Sequence, residues 1–187
     1  NMMMVVRSKS GDIFTNENLA SLKQLVEKSW MIPYVSRVDG LTNFSYTTVE
    51  KEELDEEEIA EGLEPVDNLV VEDFITTLPL SDAQLKEKKR LALSDKLMPK
   101  FLISEKTDIT QITLRAIIPA DFPDGFSEAT NGARAIRDSI MAHNPDLEIK
   151  LAGTVPLNNA FEEFAIRDMS TMIPIMFLII MIILVLT

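Results

Sequence analysis

The chain has 187 residues, a formal charge of −12, no cysteine and a 46% share of hydrophobic residues. The missing cysteines exclude a disulfide framework and a thiolate metal site, and the acidic balance argues against nucleic acid and against anionic lipid heads as partners. A chain of this length buries a real core without covalent staples, so one compact domain is expected.

The opening residues Met2-Met3-Met4-Val5-Val6 are apolar and lead into Arg7, a length that suits a buried strand and is far too short to span a membrane. Neither a basic segment nor a cleavage site precedes them, so any export signal is expected upstream. Ser10-Gly11-Asp12 is a turn signal. Thr15 and Asn16 are N-cap residues for a helix over residues 17–30, with Leu19, Leu22, Leu25, Val26 and Trp30 at helical spacing. Ile32-Pro33 ends it. Residues 35–49 mix β-branched and aromatic side chains around Asp39-Gly40, which predicts extended chain with a bend at the glycine.

Residues 50–64 form a carboxylate-rich run with Lys51 as the one counter-charge. Clustered acids can bind calcium, but the D-x-[DN]-x-[DN]-G spacing of a calcium loop is missing. A solvated loop or hairpin tip is the simpler reading. Residues 68–75 read as a strand. Ser81 and Gln84 fit a capping box opening a helix to about Leu93. Its Lys86, Lys88, Lys89 and Arg90 are the densest basic patch of the chain, as expected of a solvated helix face. Residues 101–104 and 109–118 read as a hairpin around Glu105-Lys106-Thr107, with strict alternation in the second arm. Phe126, Ala129, Ala133, Ile136 and Ile140 mark a helix over residues 126–142, stopped by Asn144-Pro145. Leu147 to Ala152 is an alternating strand. Gly153-Thr154 turns the chain into a last helix from about Pro156, with Leu157, Phe161, Phe164 and Ala165 as its apolar stripe.

From Met172 to Leu186 every residue is apolar. The last charges before this run are Arg167 and Asp168, so the whole net charge lies ahead of it. A spanning helix takes roughly 20 apolar residues, and a soluble core helix shows a stripe, not an apolar circumference. The expected organisation is therefore an extramembrane domain at residues 1–155, and an amphipathic helix at 156–187 that runs without a break into the first part of a membrane helix. A buried C-terminal core helix and a complete tail anchor are the competing readings. Set apart from an insertion at about residues 50–107, the element order is strand, helix, strand, strand, helix, strand. That order predicts an α+β, ferredoxin-like split βαβ domain, βαββαβ with an insertion, in which the strands at 109–118 and 147–152 are neighbours with the 126–142 helix on one face.

Candidate chemistry is thin. His143 is the one histidine, at a helix end where it complements the C-terminal dipole. There is no G-x-S-x-G elbow, P-loop or G-x-G-x-x-G. The carboxylates cluster where water screens them. The expectation is a non-enzyme: no catalytic residue, no cofactor-binding residue, no metal ligand and no cofactor are assigned, and substrate-contact residues stay unassigned.

Several pieces carry a family likeness. They are Val5-Val6 followed by Gly11-Asp12-Ile13-Phe14-Thr15, and Val35-Ser36-Arg37-Val38 with Gly40-Leu41-Thr42-Asn43. Leu102-Ile103-Ser104 with Thr110-Gln111-Ile112 follows, then Gly153 to Asp168 with Pro174 in an apolar helix. In this order and spacing the chain resembles the first extracytoplasmic, or porter, domain of resistance-nodulation-division (RND) superfamily exporters, the branch with the mycobacterial large-membrane-protein-like (MMPL) domain. Glycine stands where that family usually has serine before Leu41. The resemblance implies a proton-driven exporter in the inner cell membrane. The domain would lie on the periplasmic or extracytoplasmic side and take part in capture and passage of lipids or other hydrophobic molecules. It implies the lipid bilayer and the remaining domains of a parent transporter as partners, with a homo-oligomer possible and nucleic acid excluded. The proton-relay residues would lie outside this chain, so Asp168 is not one of them. The alternative is a membrane-tethered binding, sensor or assembly module without transport activity. A membrane-anchored hydrolase would require a nucleophile–base pair that the sequence lacks.

Overall fold

The computed structural model describes residues 1–51, 67–122 and 124–186. Its elements in chain order are β1 (Met2–Ser8), α1 (Asn16–Ser29), β2 (Val35–Asp39), β3 (Ser45–Lys51), β4 (Asp67–Asp73), α2 (Asp82–Ser94), α3 (Met98–Phe101), β5 (Ile109–Ala116), α4 (Gly125–His143), β6 (Leu147–Gly153) and α5 (Thr154–Leu186). The result is a mixed α/β domain with two antiparallel sheets and a long C-terminal apolar helix.

The main sheet has the order β2-β5-β1-β6, and every neighbouring pair is antiparallel. Alternation decides what each strand buries. Met2, Met4 and Val6 point to one face, opposite Leu114, Ile112 and Thr110 on β5. Leu147 and Ile149 on β6 join them, opposite Ser8 and Val6. This face carries the core together with Leu19, Leu22, Leu25 and Val26 of α1 and Ala129, Ala133 and Ile140 of α4. The small alanines let α4 come close to the sheet, which is why so weakly apolar a helix can be a core element.

The caps form as the spacing predicts. Thr15 accepts a hydrogen bond from the Asn18 amide at 3.2 Å, and Ser81 and Gln84 complete a reciprocal capping box. The helix over 126–142 and the strand over 147–152 appear with their ends moved by one residue. The acidic run lies outside the described residues from position 52 to 66.

Four expectations need correction. The extended segment at 35–49 is two strands in two different sheets, β2 and β3. The Asn43 side chain accepts from the Gly40 amide and donates to the Val38 carbonyl, both at 2.8 Å, which closes the chain on itself and ends β2. The carbonyls of Thr42 and Phe44 then take the Ile75 and Phe74 amides, so β3 leaves paired with β4.

The hairpin at 101–118 has only one strand. Its first arm begins as the helical turn α3, with Pro99 in the first turn where a missing amide costs nothing, and meets β5 through the single bridge Ile103↔Thr110. Third, β5 and β6 are not adjacent: β1 lies between them and pairs with both. The crossover helix α4 therefore carries the chain over β1.

The fourth correction is the start of α5, which begins at Thr154 directly after Gly153 and not at about Pro156, and then continues unbroken as expected. That glycine has φ +104°, and a Cβ there would sit 2.7 Å from the Asn1 carbonyl oxygen, so the junction depends on its missing side chain. The helix then runs 33 residues, about 50 Å at 1.5 Å per residue, with Pro174 inside it. It is long and apolar enough to cross a membrane, and its apolar window has no share buried in the domain. The stripe of Leu157, Phe161 and Phe164 does not face the sheet: these side chains are 55–64% exposed. The residues that do face the domain are Val155 and Asn159. They lie on the opposite side of the helical wheel.

Candidate functional site

Among the described residues, two places that combine exposed apolar surface with ordered polar groups stand out. The first is the base of α5. Val155 and Asn159 are buried there, and one turn on, Glu163 meets Arg134 of α4 through both carboxylate oxygens, at 2.5 and 3.1 Å. Asn159 donates to the same carboxylate at 2.9 Å, and Asn131 accepts from Arg134 at 3.2 Å. The Glu163 carboxylate raises the Arg134 pKa above its ordinary value, more than burial lowers it. This chain of side chains fastens the lower part of α5 to α4. Beyond it the apolar residues of α5 are exposed all round as far as Leu186.

The second is a cavity of about 380 Å³ between the β2–β3 turn and α3. Phe44, Leu97, Phe101 and Leu102 form its apolar wall. Arg37 sits at the rim, its Nε hydrogen-bonded to both oxygens of Asp39 at 2.8 Å. Leu97 and Phe101 are 55% and 60% exposed, at i and i+4 around a single helical turn. A cavity of this size suits a small apolar ligand with one polar end. Sequence reasoning did not find it. The usable signal was the pair Leu97 and Phe101 beside Pro99, which the expected strand had hidden.

The residues singled out by sequence are scattered. His143 is exposed at the end of α4, with Nδ1 2.7 Å from the Ser139 carbonyl. Three of the four cations in the basic patch on α2 have a partner. Lys89 pairs with Asp12 at 2.7 Å, Arg90 with Glu87 at 2.7 Å, and Lys88 stands 4.8 Å over the Phe74 ring. Asp168 lies on exposed α5, far from the cavity in sequence and on another element. Among the described residues, no group of three or more His, Asp or Glu could hold a metal ion.

The most perturbed carboxylate is structural. Asp146 follows α4, and burial would raise its pKa. Hydrogen bonds from Ser8, Asn18 and Ser10, the last through hydroxyl and amide, outweigh that and bring it to about 2. Asn144 extends the network to Asn18 and Ser21 at 2.9 and 3.0 Å. It ties β1, α1 and the α4–β6 loop together, and it faces no cavity described above.

Comparison with known proteins finds no match: no family model, no curated protein and no solved structure is similar to the chain.

Proposed function

We propose that the chain is the porter-type extracytoplasmic domain of a proton-driven RND exporter, joined to its second membrane helix, and that it takes part in the passage of lipids or other hydrophobic molecules. The observation that carries this reading is the continuity of α5. One helix begins at a sheet strand, is fastened to the domain by Asn159, Glu163 and Arg134, and continues as an exposed apolar rod. Such a rod is stable only in an apolar phase.

The sheet order supports a ferredoxin-like split βαβ topology: each crossover helix skips one strand, α1 passing from β1 to β2 across β5, and α4 from β5 to β6 across β1. The hairpin β3–β4 with α2 and α3 occupies the place of the insertion. The cavity walled by Phe44, Leu97, Phe101 and Leu102 is where we place first contact with apolar cargo, completed by a partner domain of the parent protein. The domain would then lie on the periplasmic or extracytoplasmic side.

The test is export by the parent protein. Collapsing the proton gradient should stop export of a fluorescent hydrophobic cargo. Removing residues 2–168 should stop it too while the membrane part still assembles. Phe101→Asp should cut the rate several-fold with the protein still folded. Normal export without residues 2–168 would make the domain a tethered sensor or assembly module instead. Orientation is read separately. This chain has no cysteine, so Glu105→Cys in the exposed turn before β5, in a parent protein with any other cysteines replaced, should be labelled by an impermeant maleimide in intact cells.

A further inference from the structure

Asn1 and the start of α5 share one point on the domain. β1 and β6 are antiparallel neighbours, so Met2 lies opposite Gly153. The Asn1 carbonyl accepts the Val155 amide at 3.3 Å, inside the first turn of α5. The same oxygen stands 2.7 Å from where a Cβ on Gly153 would be, so the two backbones touch. Any chain that enters at Asn1 therefore arrives at the N-terminal end of α5.

From that point α5 presents two faces. Val155 and Asn159 are buried against the domain, and Glu163 follows them onto Arg134. On the other side Leu157, Phe161 and Phe164 stand at i, i+4 and i+7, each more than half exposed. Glu162, Glu163, Arg167 and Asp168 share this stretch, and so many charges keep it outside the hydrocarbon. Phe164 precedes Met172 by 8 residues of helix, about 12 Å, so the acyl chains of a bilayer that begins near Met172 do not reach the strip. Large apolar side chains aligned on one face of a helix in water are the mark of a packing surface.

The place of Asn1 says what covers it. The inference rests on the exporter reading above, in which a first membrane helix precedes Asn1. Pro156 lies 16 residues ahead of Met172, about 24 Å along one unbroken helix. A chain rising from the bilayer to Asn1 has to span the same distance, and it finishes on the first turn of α5.

We propose that the segment entering at Asn1 is a helical extension of that first membrane helix, antiparallel to α5, and that its apolar side covers Leu157, Phe161 and Phe164. Ridges of side chains three and four residues apart are what a neighbouring helix packs into. The two helices then form a stalk that sets the height of the domain above the membrane. A second copy of the chain suits the strip less well. Asp168 lies on the same face, eleven residues or about three turns after Leu157, so parallel pairing of two copies sets carboxylate against carboxylate.

The test compares the 187-residue chain with the parent exporter, any other cysteines of the parent being replaced, both in nanodiscs. Nitroxides are placed singly at 157, 161 and 164, and their collisions with a water-soluble nickel complex are measured. Access should be high in the 187-residue chain and several-fold lower in the parent. A label at 162, on another side of the same helix, should keep its access in both. Benzoylphenylalanine replaces Leu157, Phe161 and Phe164 in turn in the parent, and mass spectrometry identifies what each captures on illumination. A peptide from ahead of Asn1, in a product of unchanged molecular mass, is expected. Capture of lipid, of a second copy at doubled mass or of a helix beyond Thr187 would overturn the inference, and so would no upstream peptide from any of the three positions. Unchanged nickel access in a parent that does have an upstream membrane helix would overturn it while leaving the exporter reading intact. A parent with no such helix would overturn the exporter reading itself.

Discussion

Helices α1 and α5 carry the same kind of pattern and meet opposite fates. On α1, Leu19, Leu22, Leu25 and Val26 lie at helical spacing and are at most 5% exposed. On α5, Leu157, Phe161 and Phe164 are spaced in the same way and are more than half exposed. The difference lies in what the other face does. The remaining side of α1 is polar and solvated, so its apolar stripe is the only surface it can bury against the sheet. The base of α5 docks through Val155, Asn159 and Glu163, and its apolar stripe is left over. Periodicity therefore reports that a helix has two faces. It does not report which phase the apolar one meets.

The strongest way to sharpen that contrast is to truncate the buried stripe. Leu25→Ala should cost about 3 kcal/mol of domain stability, as large-to-small changes in a closed core do. Trp30, the one tryptophan, sits at the end of the same helix and reports the denaturant transition by fluorescence. A loss below 1 kcal/mol would mean that α1 does not close the core.

Polar anchoring is the next term, and both helices use it. Asp146→Ala strips the acceptor from Ser8, Ser10 and Asn18, the last on α1, and should cost about 2 kcal/mol. Its pH signature has a fixed sign. The folded pKa is lowered from 3.8 to about 2, so the contribution is present above about pH 4 and is lost as the pH falls toward 2. The variant should therefore show a flatter acid limb in that window than the parent. On α5 the counterpart is Arg134→Gln. The ion pair it breaks is partly exposed, so the expected loss is only about 0.5–1 kcal/mol. Hydrogen exchange should nonetheless quicken around residues 157–165, ahead of the core. Phe161→Ala should have the smallest effect, within about 0.5 kcal/mol, because no domain surface covers that ring. A larger loss would show that the stripe is packed after all.

Much of the fold could be read from residues alone. Ser81 with Gln84, Thr15 before its stripe, and the alternation at 109–118 are local signals; both caps formed, and the strand formed but ends at Ala116. The misses were decided by tertiary partners. The break between β2 and β3 depends on Asn43 bonding back to Gly40 and Val38, which no periodicity encodes. Residues 101–104 have strand-like composition, but Pro99 and the burial of Met98 favour a helical turn. β1 lies between β5 and β6 because it pairs on both edges, a property of the sheet and not of any one strand. The cavity between the β2–β3 turn and α3 is only half visible in the sequence, because Phe44 and Leu97 come from separate elements and no sequence window joins the whole wall.

The central claim is that α5 is one helix with two environments, held to the domain at its base and lipid-facing from about Met172. The direct measurement is a nitroxide scan along residues 157–186 of the full chain in nanodiscs, comparing collisions with a water-soluble nickel complex and with oxygen. Labels at 157, 161 and 164 should meet the nickel complex. From residue 172 onward the nickel signal should vanish and the oxygen signal rise at every position, because no face of the helix is covered. High nickel access at 172–186 would place the run in water, and low access to both reagents would place it in a protein core. Either result would contradict the account.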